Sequence, residues 1–575
     1  MKKAILLIAV LVIAAVAVLI WVRVSNSSKA ATLSPANAIV RIYFAGASNL
    51  AADTNSTAFT NIFCSSQARS LEKQTLDKLS RAPGTWFKGK LPTGVGDGSA
   101  QLRPLLDDLL TSKCVFQMRD AAASPEYALA IQLNDTRAQL WQANLRTLLE
   151  SWTLIKATDI TGGWELKKDM PPNLFRVVRG TNWLVIGCGQ DELPLSEAWA
   201  SGALSPDTNE TNWASARVNW PRLAQVLPVF AKFDLPAMQM QVVGRGGNLL
   251  PSGTFVLSQP LSALSDWQIP SDLIHGPLTS FTTIRGVGPW LQKQAWAKWL
   301  QLSPEPNQAF IWSDGQFPLQ TYFAVPVSNS VMALAQLGQN MTLDTNWEKH
   351  LMLELALNRT TNRISLENVP FYISPEVRSL TDPSGDYLFA EVFPNLAGTA
   401  PPEALFQEVT RENRVFYHWE ITPVRLKDLP HLTQLALMLT NHRQVDGGST
   451  ASRWLDHIGP TLGDSVTEVT QTGPSELSFR RSARAGLTAI ELMALAEWLE
   501  APNFPGCDMS ATYAPKLRKK GPRPQNGPQP LQNSHQPPKS QPQRPLNTNQ
   551  PPPPVKTFKV PSSSSNTISP VPKTP

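Results

Sequence analysis

The sequence predicts an α+β body of two related antiparallel sheet-and-helix domains, preceded by one transmembrane helix and followed by a disordered basic tail. Three observations predict it. A 19-residue uncharged run occupies Ala4 to Val22. The body repeats a strand, a polar or Gly/Pro break and an apolar-periodic helix, in the same order at an offset of about 190 residues. The last 61 residues hold 17 of the 50 prolines, ten Lys or Arg and no Asp or Glu.

The first run follows Lys2 and Lys3, and at about 1.5 Å per residue it nearly spans a hydrocarbon core. It ends at Trp21, a residue that prefers the membrane interface. Two fates are open. Kept, it is a single-pass anchor in the cell inner membrane, with a short N-terminus inside and the body periplasmic. Cut after Ala30, where Ser28-Lys29-Ala30 offers small residues at the two recognised positions, it releases a secreted body.

The body divides into a first domain over 31–275 and a second over 276–512, meeting near Pro270 to Pro277. In the first, CVFQMRD from Cys114 is followed by the strand and helix from Tyr127, where Asn134 and Asp135 can cap a helix striped with Leu140, Trp141, Leu145, Leu148 and Leu149. Strands then fall around Trp164 to Lys168, Leu174 to Arg179 and Trp183 to Cys188. The expected counterparts are AFIWSDG from Ala309, the strand and helix from Thr321 with capping residues Ser328, Asn329 and Ser330, and strands around Leu351 to Leu357, Arg363 to Glu367 and Phe371 to Ser374. ARVNWPRLA from Ala216 matches AEVFPNLA from Ala390. Turn residues at Gly180-Thr181-Asn182 and Arg359 to Asn362 make the pairs hairpins. Alternation of Tyr417, Trp419 and Ile421 with His418 and Glu420 predicts one packed and one polar sheet face.

The tail, 513–575, is too polar and Pro-rich to build a core and reads as an extended, partly polyproline-like segment. Without the charges of residues 1–29 and 515–575, 37 basic residues face 45 acidic ones, so the body is net −8 and the formal +6 belongs to the ends. A basic nucleic-acid-binding domain is thereby excluded. The expected partners are the membrane, through residues 4–22, and anionic envelope polymers or lipid headgroups, through the tail.

Chemistry-bearing motifs are sparse. Cys64, Cys114, Cys188 and Cys507 form no metal or redox spacing; the one disulfide worth testing is Cys64 with Cys114. Gly94 to Gly98 and Gly244 to Gly247 lack the context of a phosphate loop and read as turns. Ser70 and Lys73 have the Ser-x-x-Lys spacing of penicillin-recognising enzymes, but on a charged helix they read as an exposed face. His418, His431, His442 and His457 would bind metal only by converging with Glu420, Asp446 or Asp456. The many Trp, including Trp290, Trp296 and Trp299 at helical spacing, read as core. No catalytic, cofactor-binding or metal residue is assigned.

The single N-terminal span, the ARVNWPRLA-type units and the final GLTAIELMALAEWL helix together resemble uncharacterised bacterial single-pass envelope proteins of unknown function, over about residues 35–505. The resemblance implies extracytoplasmic α+β repeats and carries over no catalytic residue. The expected role is a non-enzymatic, membrane-anchored scaffold or binding protein. The alternatives are a hydrolase of an envelope polymer and a lipid- or lipoprotein-handling module with an apolar groove.

Overall fold

The computed structural model describes residues 38–505 apart from internal stretches, the longest being 290–299, 344–355, 393–402 and 430–447. The span expected at 4–22 and the tail expected from 513 lie outside the described residues, and among those residues no helix is long and apolar enough to cross a membrane. Also outside are Trp290, Trp296, Trp299, His431, His442, Asp446, Cys507 and the strand expected at Phe371 to Ser374.

In its first half the chain runs β1 (Ala38–Phe44), α1 (Ala47–Ala52), α2 (Thr57–Phe63), α3 (Ser66–Trp86), α4 (Ser99–Thr111), β2 (Cys114–Arg119), β3 (Glu126–Gln132), α5 (Asp135–Thr153), β4 (Thr158–Ile160), β5 (Gly163–Lys167), β6 (Leu174–Arg179), β7 (Trp183–Gly189), α6 (Pro194–Ser201), β8 (Ala214–Val218), α7 (Trp220–Val226), β9 (Ala237–Arg245) and β10 (Asn248–Val256). In the second it runs β11 (Leu278–Arg285), β12 (Gln308–Asp314), β13 (Thr321–Val327), α8 (Ser330–Leu343), β14 (Ala356–Arg359), β15 (Arg363–Glu367), β16 (Glu376–Asp382), β17 (Gly385–Val392), α9 (Glu403–Val409), β18 (Arg414–Ile421), a helical stretch over 422–429, α10 (Thr450–Ile458), β19 (Asp464–Gly473), β20 (Glu476–Ser482) and α11 (Ala489–Glu500).

All the described strands join one antiparallel sheet. Its first ten lie in the order β4-β5-β6-β7-β3-β2-β1-β8-β9-β10. β10 then pairs with β20, and the sheet continues β20-β19-β18-β11-β12-β13-β17-β16-β15-β14. Adding ten to each label of the first series reproduces the second, read inward from the opposite edge. The detail matches too: the β1–β2 ladder has an irregularity between Ala38 and Val40, and the β11–β12 ladder has one between Leu278 and Ser280. The register corrects one expected correspondence. Ala390 lies inside β17, which holds the place of β7, and the place of β8 is taken by β18.

The pleat sends alternate residues to two faces. On one face, Val40, Ile42 and Phe44 of β1 meet α2–α5, and α10 and α11 of the second half join the same core through Trp454, Leu492 and Leu499. The buried Trp454 indole donates to the Ile62 carbonyl at 3.0 Å, so a second-half helix is fastened inside the first half. α8 covers the same face at the far end, with Leu334 and Leu337 against Ile364 and Leu388. On the opposite face, Tyr43, Val115 and Val185 pack on Trp199 of α6, and Phe281, Phe310 and Trp312 pack with Phe406 of α9.

Helix starts leave backbone N–H groups unpaired and carry a partial positive charge, so carboxylates from elsewhere hold several of them. Glu126, fully buried, accepts from the amides of Leu195 and Ser196 at the start of α6. Asp386 accepts from the Ser330 amide at the start of α8, the bond that leads in holding its carboxyl below the usual range. Glu500 accepts from Ala451 of α10 at 2.7 Å. The local signals also act as expected: Asn134 accepts from the Arg137 amide and Asn329 from that of Met332; in addition, Thr488 with Glu491 closes a capping box on α11. Gly246 and Gly247 form the β9–β10 turn at φ 57° and 76°, angles that favour glycine.

Candidate functional site

At the seam where β10 meets β20, the helix-covered face of the sheet holds a cavity of about 440 Å³. Its floor is built by Ala214 and Ala216 of β8, Met240 and Val242 of β9, Pro251 and Phe255 of β10 and Phe479 of β20. Phe44, Leu50 and Phe59 wall it from the first half, and Gly486 and Leu487, just ahead of α11, from the second. These side chains share a side because strictly paired residues point the same way: Phe44 faces Ala214, Ala216 faces Met240, and Gly253 faces Phe479.

Trp213, immediately before β8, shapes one end. Its ring stands edge-on to Phe59 at 5.8 Å, and its indole donates to Asp53 at 2.7 Å. The Asn55 backbone amide first, and that indole second, hold the Asp53 carboxyl below the usual range. Gly244 admits the ring, since a Cβ there would lie 2.2 Å from it. Phe255 and Phe479 meet edge to face at 6.2 Å across the seam. The charged wall is self-neutralised: Arg481 donates to both carboxylate oxygens of Glu491, at 2.6 and 3.0 Å, and to Thr467 Oγ1 at 2.8 Å.

Each strand of the floor has a paired neighbour on both sides, so its backbone groups are already bonded within the sheet. An occupant therefore meets carbon and aromatic faces over most of the wall, an arrangement suited to holding a hydrocarbon group and not to pairing a peptide strand.

The motifs weighed in the sequence fall elsewhere. Ser70 donates to the Ser66 carbonyl at 3.0 Å on α3, beside Lys73. Gly244 ends β9 as Gly246 and Gly247 turn the hairpin. Cys114 and Cys188 are free thiols, so the Cys64–Cys114 bridge does not form; Cys114 is packed in the strand interior, and burial pushes its thiol up to about 12. Asp456 and His457 sit on α10, and among the described residues no three metal-type side chains converge. Trp141, Trp164 and Trp199 are core residues. His418 and Glu420 depart from expectation: Glu420, placed by alternation on a polar face, is 3% exposed. No protein-family model, no characterised protein and no solved structure matches the chain.

Proposed function

We propose that the chain is a non-enzymatic, membrane-anchored envelope binding protein, built as a tandem duplication, that takes the hydrocarbon part of a lipid or lipidated ligand into the cavity at the seam. The observation that carries this reading is the apolar cavity on fully paired strands. The matching order of the two strand series, with irregularities at Ala38/Val40 and Leu278/Ser280, supports the duplication. The run from Ala4 to Val22 supports the anchor and an extracytoplasmic body.

Ala216→Trp tests it, since the new indole projects into the cavity. A photoactivatable diazirine-bearing fatty alcohol should label peptides containing residues 213–216 and 479–487 of the full-length chain in lipid nanodiscs. The substitution should cut labelling by about tenfold or more, with circular dichroism unchanged. Equal labelling of both proteins would exclude the cavity as the binding site.

The basic stretch from Pro515 supports a second contact, with anionic glycan or lipid headgroups, because ten uncompensated cations gain affinity by releasing counterions. Deleting 515–575 should leave thermal unfolding unchanged and reduce co-sedimentation with anionic vesicles at low salt. The difference should vanish at about 0.5 M salt, where screening acts within about 4 Å.

A further inference from the structure

The two halves differ sharply at equivalent positions on the cavity side of the sheet. In the first, Ile42 pairs with Ala216 and Ala216 with Met240; one row on, Val40 pairs with Val218 and Val218 with Met238. In the second, the same places hold Thr282, His418 and Thr467, then Ser280, Glu420 and Ser465. The match is fixed at two points. The ladder irregularity precedes Val40 and Ser280 alike, and a helix begins two residues after Val218 and after Glu420. Six apolar positions have become polar, and of the six polar residues all but Thr282 and His418 are nearly inaccessible. Since the fold accepts apolar residues in these places, it does not require the polar set, and burying polar groups is costly.

The set converges on one carboxylate. Glu420 Oε1 accepts from the Ala489 amide at 2.7 Å, from Thr422 Oγ1 at 2.9 Å and from Ser465 Oγ at 3.4 Å. His418 Nε2 lies 3.4 Å from its other oxygen, and His418 Nδ1 lies 2.7 Å from Thr282 Oγ1. Ala489 is the first residue of α11, and Gly486 and Leu487, three and two residues before it, wall the cavity. Glu420 therefore anchors the end of the strap 483–488 that supplies Gly486 and Leu487 to the cavity wall.

We propose that Glu420 is an acid-operated latch on this cavity, and that His418 positions the acidity at which the latch releases. The inference rests on the cavity being the binding site. Burial alone would raise the Glu420 carboxyl, but the neighbouring His418 ring, the Ala489 amide and Thr422 outweigh it and hold it below the usual carboxylate range. The other charges around it are Arg425 and Asp428 of the 422–429 helix, with Arg481 and Glu491 across Thr467. Because the folded value is depressed, the latch is fully engaged above the unfolded carboxylate value and is lost as pH falls through the folded one. Protonation removes the charge that favours the α11 N-terminus and weakens the acceptor held by the Ala489 amide.

The test uses the full-length chain in lipid nanodiscs and the same fatty alcohol probe, which carries no titratable group. Wild-type labelling of residues 479–487 should be strong at about pH 7 and fall at least about tenfold once pH is taken below the usual carboxylate range, with hydrogen exchange of 484–491 rising over the same range. His418→Gln should move both midpoints up by about one pH unit, since the imidazole beside Glu420 that favours its ionised form is gone. Glu420→Gln should label weakly at every pH. Labelling and exchange that do not change with pH in the wild type, or a midpoint that His418→Gln leaves in place, would overturn the latch. Absence of labelling at neutral pH would overturn the cavity reading alone, since the exchange profiles of wild type and His418→Gln still report the latch.

Discussion

Replacing Glu126 by Ala should destabilise the body by about 3–5 kcal/mol, the cost of breaking a buried ion pair from one side. Glu126 has no measurable exposure, and its Oε2 accepts from Arg119 Nε at 2.8 Å. It also accepts from the amides of Leu195 and Ser196 and from the Ser196 hydroxyl at 3.1 Å. Alanine would strand an Arg119 that is 3% exposed and unsatisfy the first turn of α6 together. Urea unfolding measures the loss. The paired change Arg119→Met with Glu126→Leu should recover much of it, because no charge is then left buried. An alanine variant within about 1 kcal/mol of wild type would mean that water reaches the pair.

Trp454→Ala should cost a similar amount, about 3–5 kcal/mol, by opening a cavity and removing an indole hydrogen bond. Its ring lies 6.4 Å from that of Phe63, with the Ile62 carbonyl as acceptor. Because this second-half side chain sits in the first-half core, the loss should also uncouple the halves. Calorimetry should resolve two transitions where the wild type shows one. A single transition at unchanged temperature would show that α10 contributes little to the joint core.

Local structure was readable from the chain because it is written locally. The cap at Asn134 and the turn at Gly246 and Gly247 each need only a few neighbouring residues. Strand partners needed more. β1 pairs with β8 across 177 intervening positions at Val40 and Val218, counted between partners, and hydrophobic alternation is satisfied by any partner with a matching face. The cavity was beyond reach for the same reason: Phe44, Trp213, Met240, Phe255 and Phe479 come from five separate segments. At Glu420 alternation correctly separated the two faces of β18 but did not tell that the polar-looking one is buried. The signal that could have found it was the repeat itself, once Val218 is set against Glu420.

The two ends of the described body share one core. Ile39 and Val40, in the first described strand, and Leu492, Leu499 and Phe504, near the end of the described residues, belong to the same apolar cluster. Lys78 of α3 ties the exit further, donating to the carbonyls of Leu499 and Glu500 at 2.9 and 3.0 Å. Tension applied between the two termini is then borne by the helices packed on β1. The far strands β14 to β17 hang outside the load path, free of the stress that the two ends place on the molecule.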